Sequence, residues 1–209
     1  KDVAVCGQHD LVDESVVIGD DGGVANIVIY LRGVADKSGK IKTKGFDVHP
    51  DLASAGDEQP TLDNKNCRFD PHVVGLTTDE TLLIKNSDPV SHNTNIQPLG
   101  QAGANPLLPS DGTFEFQFTR EQRVPVKVSC NVHPWMAAYV IPRATPYFAV
   151  TDKDGKFTIE NLPAEECEFV VWHEVNGYLQ AYDKGRLTKK IKKGTNDLGT
   201  VKVKPDWLK

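Results

Sequence analysis

The chain has 209 residues, enough for one large β domain or one domain with a smaller companion, and either can bury a core without disulfide staples. Hydrophobic residues make up 39% and charged residues 25%, and no apolar run approaches the length of a membrane span, which excludes an integral membrane protein. The net charge of -5 argues against general nucleic-acid binding and leaves room for a basic docking partner.

The charge is uneven. Residues 1–143 hold 13 Lys and Arg against 19 Asp and Glu, net -6, while 144–209 hold 11 against 10, net +1. Lys1-Asp2-Val3 leads straight into folded-looking sequence, so no signal peptide is visible and the chain reads as mature or trimmed. In chain order, Val16 to Gly19 and Val24 to Leu31 are predicted strands joined by the turn Asp20-Asp21-Gly22-Gly23. From Ala35 to Asn66 the residues are mostly polar, a long excursion with a short helix expected near Asp51 to Ala55.

Strands are then expected over Val73 to Leu76 and Thr81 to Lys85. A polar loop follows, Asn86-Ser87-Asp88-Pro89-Val90-Ser91-His92-Asn93. The Gly- and Pro-rich stretch Gly100 to Gly112 leads into Thr113 to Phe118, where Phe114, Phe116 and Phe118 alternate with Glu115 and Gln117, so one face is wet and one buried. Val124, Val126, Val128 and Cys130 alternate with Pro125, Lys127 and Ser129, which puts Cys130 on the inward row of a half-buried strand. A strand such as Ala138 to Ile141 then leaves the loop. Tyr147 to Thr151, Lys156 to Glu160, Cys167 to His173 and Gly199 to Val203 form a second β series. No long 3.6-residue apolar period occurs, so the fold class is all-β, most simply a sandwich.

The loop Cys130-Asn131-Val132-His133-Pro134-Trp135-Met136 concentrates a thiolate, an imidazole and the chain's single thioether. With His92 from the upstream loop, two His, one Cys and a weak Met form the ligand set of a blue-copper centre. Cu(I) favours soft sulfur and Cu(II) favours imidazole, so this set serves both states with little rearrangement. Asn93 is placed to tie the two ligand loops by hydrogen bonds, and Pro134 removes a backbone donor and stiffens the loop. The competing reading of Cys130 is a half-cystine, which would gain nothing from His133 and Met136 at short spacing.

Cys130, His133 and Met136, with Pro134 after the histidine, resemble the short ligand loop of amicyanin among the cupredoxins. Phe69-Asp70-Pro71-His72-Val73-Val74-Gly75-Leu76, Glu80-Thr81-Leu82-Leu83, Asn86 and the His92-Asn93 pair are similar to the stretch that supplies the first cupredoxin ligand, so the resemblance covers about Cys67 to Ile141. It implies a Greek-key β-sandwich with one type 1 copper, and a carrier shuttling single electrons between redox partners such as a cytochrome or dehydrogenase. It also implies a periplasmic or secreted location. Thr151 to Ile159 with Asn161-Leu162-Pro163-Ala164 resembles the carboxypeptidase-regulatory-like, or transthyretin-like, module. The combination is similar to bacterial methylamine-utilisation-like and plastocyanin-like proteins. The domains are drawn as 1–143 for copper and 144–209 for the second module, with the N-terminal strands open to either.

With Cys130 on metal, Cys6 is paired with Cys67 and Cys167 is left free and buried. His72 is weighed as a solvated residue or a neighbour of the metal, His173 as a structural residue, and His9 and His49 as surface. Trp135, between two ligands, is open to packing or to partner docking. Asp152, Asp154 and Gly155 read as a hairpin turn rather than a calcium loop, because the remaining ligand positions are missing. Lys189, Lys190, Lys192 and Lys193 read as a solvated face. An electron carrier is not an enzyme; the alternatives are a copper-binding or adhesive module and a copper-dependent redox enzyme. The scarcity of histidine, six in all, weakens the last of these.

Overall fold

The computed structural model describes residues 1–52 and 59–208, and among these the chain is almost entirely β. It divides into two compact units, Lys1–Glu14 with Ala55–Pro146, and Ser15–Ser54 with Tyr147–Lys209.

The first unit is built on two four-stranded sheets. In one, Thr113–Gln117, Thr81–Asn86, Thr61–Lys65 and Arg68–Asp70 lie side by side; in the other, Val73–Thr77, Ala137–Arg143, Val126–Ser129 and Asn95–Ile96 do. Two pairings are parallel, Thr61–Lys65 on Thr81–Asn86 and Ala137–Arg143 on Val73–Thr77, and the rest are antiparallel. Inward rows of the two sheets meet in one core: Leu82 and Ile84 from the first sheet meet Val126, Val128, Ala138 and Val140 from the second, with Phe69, Phe116 and Phe118 filling the same core. The Thr81–Asn86 strand alternates half-buried and buried residues without a break, the burial pattern that its sequence period predicts. Cys130 and Met136 belong to this core, so the ligand loop closes one end of it.

The second unit has a single six-stranded antiparallel sheet in which Phe148–Val150, Val28–Ala35, Glu166–His173 and Gly177–Tyr178 are neighbours. Ile41–Lys42 is added to Val28–Ala35, and Arg186–Lys190 to Glu166–His173. Its apolar face packs Ile29, Leu31, Phe169 and Val171 against Tyr147, Leu179, Ile191 and Trp207. Ser15–Ser54 therefore pairs with the C-terminal part of the chain, through a register that runs Val28↔Trp172 to Val34↔Cys167.

Several expected elements differ. Val16 to Gly19 is not a strand: the Asp20–Gly23 turn forms, with the Gly19 amide donating to the Gly23 carbonyl at 2.8 Å, but only one bridge, Ile18↔Val24, extends it. The following strand begins at Val28 rather than Val24 because Asn26 sits at φ 62°, which breaks an extended run. Lys156 to Glu160 and Gly199 to Val203 carry no strand. Ile159 and Val203 reach the core from irregular backbone, so their apolar spacing comes from packing and not from a ladder. Near residue 51 the backbone makes a 3-10 turn, Pro50–Leu52, and the remainder of the expected helix lies outside the described residues. Asp152 forms a turn, its Oδ1 accepting from the Asp154 and Lys156 amides at 2.9 Å. Lys189 and Lys190 of the basic run end an exposed edge strand, Arg186–Lys190, and lysines on an edge are a common way of discouraging strand addition; Lys192 and Lys193 follow it outside the ladder.

Candidate metal centre

Two loops at one end of the first unit bring the site together. Asn86, at the end of its strand, donates through Nδ2 to the carbonyls of Val90, Leu108 and Pro109 at 2.8, 3.0 and 3.0 Å, which folds the 87–91 loop back on itself. His92 then enters the two-stranded pairing His92–Asn93 with Leu107–Leu108. On the other side Val126–Ser129 ends at Cys130, and the loop closes through two backbone bonds. The Cys130 amide donates to the Met136 carbonyl at 3.2 Å, and the Met136 amide to the His133 carbonyl at 2.9 Å.

The two loops are joined by Asn93. Its Oδ1 accepts from the amides of Asn131 at 2.8 Å and Val132 at 3.1 Å and lies 3.4 Å from Cys130 Sγ, while its Nδ2 donates to Asn105 Oδ1 at 2.5 Å. Pro134 lies exposed on the loop.

His92, Cys130 and His133 form a group whose donor atoms all lie within 4.8 Å of one another. The two histidines are 0% exposed, Met136 1% and Cys130 2%. His92 Nδ1 and His133 Nδ1 face each other at 2.9 Å, with Cys130 Sγ 3.8 Å from His133 Nδ1. The far ring nitrogens both meet carboxylates: His92 Nε2 is 2.9 Å from Asp88 Oδ2, and His133 Nε2 is 2.9 Å from Asp2 Oδ2. A carboxylate only accepts, so each imidazole presents Nε2–H to its acid and turns the Nδ1 lone pair toward the other ring and the thiol. Two facing lone pairs at that distance repel unless a cation lies between them. Burial, then the neighbouring His133, holds His92 below the ordinary imidazole value of 6.5, with Asp88 opposing. Two imidazoles, a cysteine sulfur and a buried thioether are a donor set suited to copper.

Asp88 is itself built in. Its carboxylate accepts from the amides of Asn66 at 2.7 Å and Cys67 at 2.8 Å, and its own amide donates to Asn86 Oδ1 at 3.0 Å. Cys67, Asp88 and His92 also lie within metal-binding reach of one another, but the Cys67 sulfur is bonded to Cys6 and offers no thiolate.

Sequence reasoning singles out the polar loop around Asp88 but not its carboxylate, and nothing in the sequence marks Asp2. The far edge of His92 is met by Asp88 of its own loop and that of His133 by Asp2. Trp135 is 47% exposed; its Nε1 donates to the Cys67 carbonyl at 3.0 Å and its ring lies 5.1 Å from that of His133. His72, on the neighbouring Val73–Thr77 strand's approach, sits edge-on to Tyr139 at 6.2 Å and is outside the cluster. In the second unit His173 is buried beside Trp207 at 5.6 Å. Cys167 is free and buried, and burial pushes its thiol up to about 11. His49 is exposed and His9 partly so.

No protein-family model and no curated protein matches the chain. Among solved structures, the chain is similar to a Cu(I) form of an amicyanin mutant at 18% identity and a TM-score of 0.38, over 44% of this chain and 89% of that one. It is similar to an oxidised amicyanin mutant over the same shares, at 18% identity and a TM-score of 0.37. A copper-containing nitrite reductase from Thermus scotoductus SA-01 is similar at 18% identity and a TM-score of 0.38, over 46% of this chain and 27% of that one. The chain thus spans about a quarter of the reductase, and every one of these similarities stops short of half of the present chain.

Proposed function

We propose that the first unit holds a single type 1 copper and passes single electrons between redox partner proteins. His92, Cys130 and His133 are the strong ligands in this reading and Met136 the weak axial one. The observation that carries it is the pair of Nδ1 atoms facing each other at 2.9 Å, each turned inward by a carboxylate on its own Nε2, beside a buried cysteine thiol. Zinc would be served by four strong ligands, and the donors here are three strong ones and one soft thioether, which favours copper.

Bound copper would supply the one-electron couple. The chain's own residues keep its surroundings constant: Asn93 locks the two loops, Asn86 fixes the first of them, and the buried cluster excludes water, so little has to move when charge changes. Trp135, half-exposed and against His133, supports an apolar contact for the partner, and the acidity of residues 1–143 supports a basic one. The Cys6–Cys67 disulfide supports an oxidising compartment, periplasmic or secreted. The second unit is read as a separate β module.

Titrating the apoprotein with Cu(II) tests this reading. An intense thiolate-to-copper charge-transfer band should appear at one equivalent, bleach and return on reduction and reoxidation, and vanish in Cys130→Ser. A colourless Cu(II) complex refutes it, as does loss of the band in Cys67→Ser but not in Cys130→Ser.

A further inference from the structure

The N-terminal segment belongs to the same compact unit as the cluster. Its Asp2 carboxylate meets His133 Nε2 at 2.9 Å, and its backbone carbonyl accepts from the amides of Val5 and Cys6 at 3.0 and 2.9 Å. The short turn Val3–Cys6 thereby runs from the acid directly into the disulfide with Cys67. On the other side of that bond, the Cys67 amide donates to Asp88 Oδ2, the same oxygen that meets His92 Nε2, and the Cys67 carbonyl accepts from Trp135. One disulfide is therefore joined, within a few residues, to the acid behind each histidine. The Asp2 contact lies only four residues from a covalent cross-link.

We propose that Asp2 is a positioning residue of the centre, held over His133 by the Cys6–Cys67 disulfide, that fixes the His133 tautomer and lowers the reduction potential. A carboxylate on the outer N–H fixes the ring orientation and raises the basicity of the inner nitrogen. Its negative charge favours Cu(II) over Cu(I). The tautomer part stands on the geometry alone, and the potential part rests on the copper reading above.

The parent protein is compared with Asp2→Asn, Asp2→Ala and the double variant Cys6→Ser with Cys67→Ser. Nitrogen-15 spectra of the apoprotein report the His133 tautomer, and voltammetry of the copper-loaded protein reports the potential. The parent should show His133 as the Nε2–H form. Asp2→Ala should mix the tautomers and shift the Cu(II) to Cu(I) affinity ratio about tenfold toward Cu(I), a rise of about 59 mV for one electron. Asp2→Asn keeps an oxygen acceptor and should keep the tautomer while showing the rise. The double variant, which retains Asp2 but frees it, should behave like Asp2→Ala. Parent-like tautomer and potential in Asp2→Ala overturn the role of Asp2, and parent-like values in the double variant overturn the anchoring. If the parent shows no charge-transfer band, the copper reading fails by itself, and the tautomer spectra still decide whether Asp2 positions His133.

Discussion

Replacing Asn93 with alanine removes the side chain that joins the two ligand loops. Three bonds with nitrogen donors are lost, those from the Asn131 and Val132 amides and the one to Asn105, together with the weaker contact from Cys130 Sγ. At a net of about 1 kcal/mol each, the first unit should lose about 3 kcal/mol. With a urea dependence of about 1–3 kcal/mol per molar, the unfolding midpoint of the apoprotein should fall by about 1 M or more. Because a global midpoint averages over both units, amide hydrogen exchange at residues 131 and 132 is the local assay. Losing about 1 kcal/mol at each amide should speed opening about fivefold there. Asn105→Ala breaks only the outer bond and should cost about 1 kcal/mol with those two amides unchanged. If Asn93→Ala costs no more than Asn105→Ala, or leaves exchange at 131 and 132 unaltered, Asn93 does not hold the loops together.

Met136→Leu should keep the copper and raise its potential, because loss of a weak thioether donor destabilises Cu(II) more than Cu(I); an unchanged voltammogram would remove Met136 from the ligand set. His92 in the folded apoprotein titrates below 6.5, so between that lowered value and 6.5 the unfolded chain binds the extra proton. Stability from this group is thus fully present above pH 6.5 and declines as the pH falls below it; urea midpoints measured from pH 7.5 to 5 check the sign, and His92→Gln should flatten the slope. Cys167, its thiol at about 11, should react with a thiol reagent only after the second unit is unfolded, and rapid labelling of the native protein would contradict its burial.

What the sequence made legible follows the range of the interactions. The alternation of Val126 and Val128 with Lys127 and Ser129 marks a strand, and that strand is found, since inward burial is a local period of two. The His92-Asn93 pair and the Cys130 to Met136 loop stood out because unusual donors cluster at short spacing, and the fold brings His92, Cys130 and His133 into one group. Asp2 could not be found the same way, since its contact with His133 spans 131 positions. The strand expected from Val24 was misplaced by one residue's backbone, Asn26 at positive φ, a conformation that composition does not announce. The pairing of Val28–Ala35 with Glu166–His173 was equally hidden, because strands declare which face is apolar but not which strand lies beside them.

That last pairing bears on how the polypeptide is made. Val28–Ala35 leaves the ribosome long before its partner Glu166–His173 exists, and nearly all of the ligand-bearing unit is synthesised in between. At about 5–20 residues per second the wait is on the order of ten seconds. During it, the strands from Thr61–Lys65 to Ala137–Arg143 can complete their own sheets, while Val28, Ile29, Tyr30 and Leu31, all buried in the finished sheet, have no strand to cover them. A nascent or truncated chain ending near Arg143 therefore exposes an apolar, β-prone segment, the kind of edge from which aggregation starts.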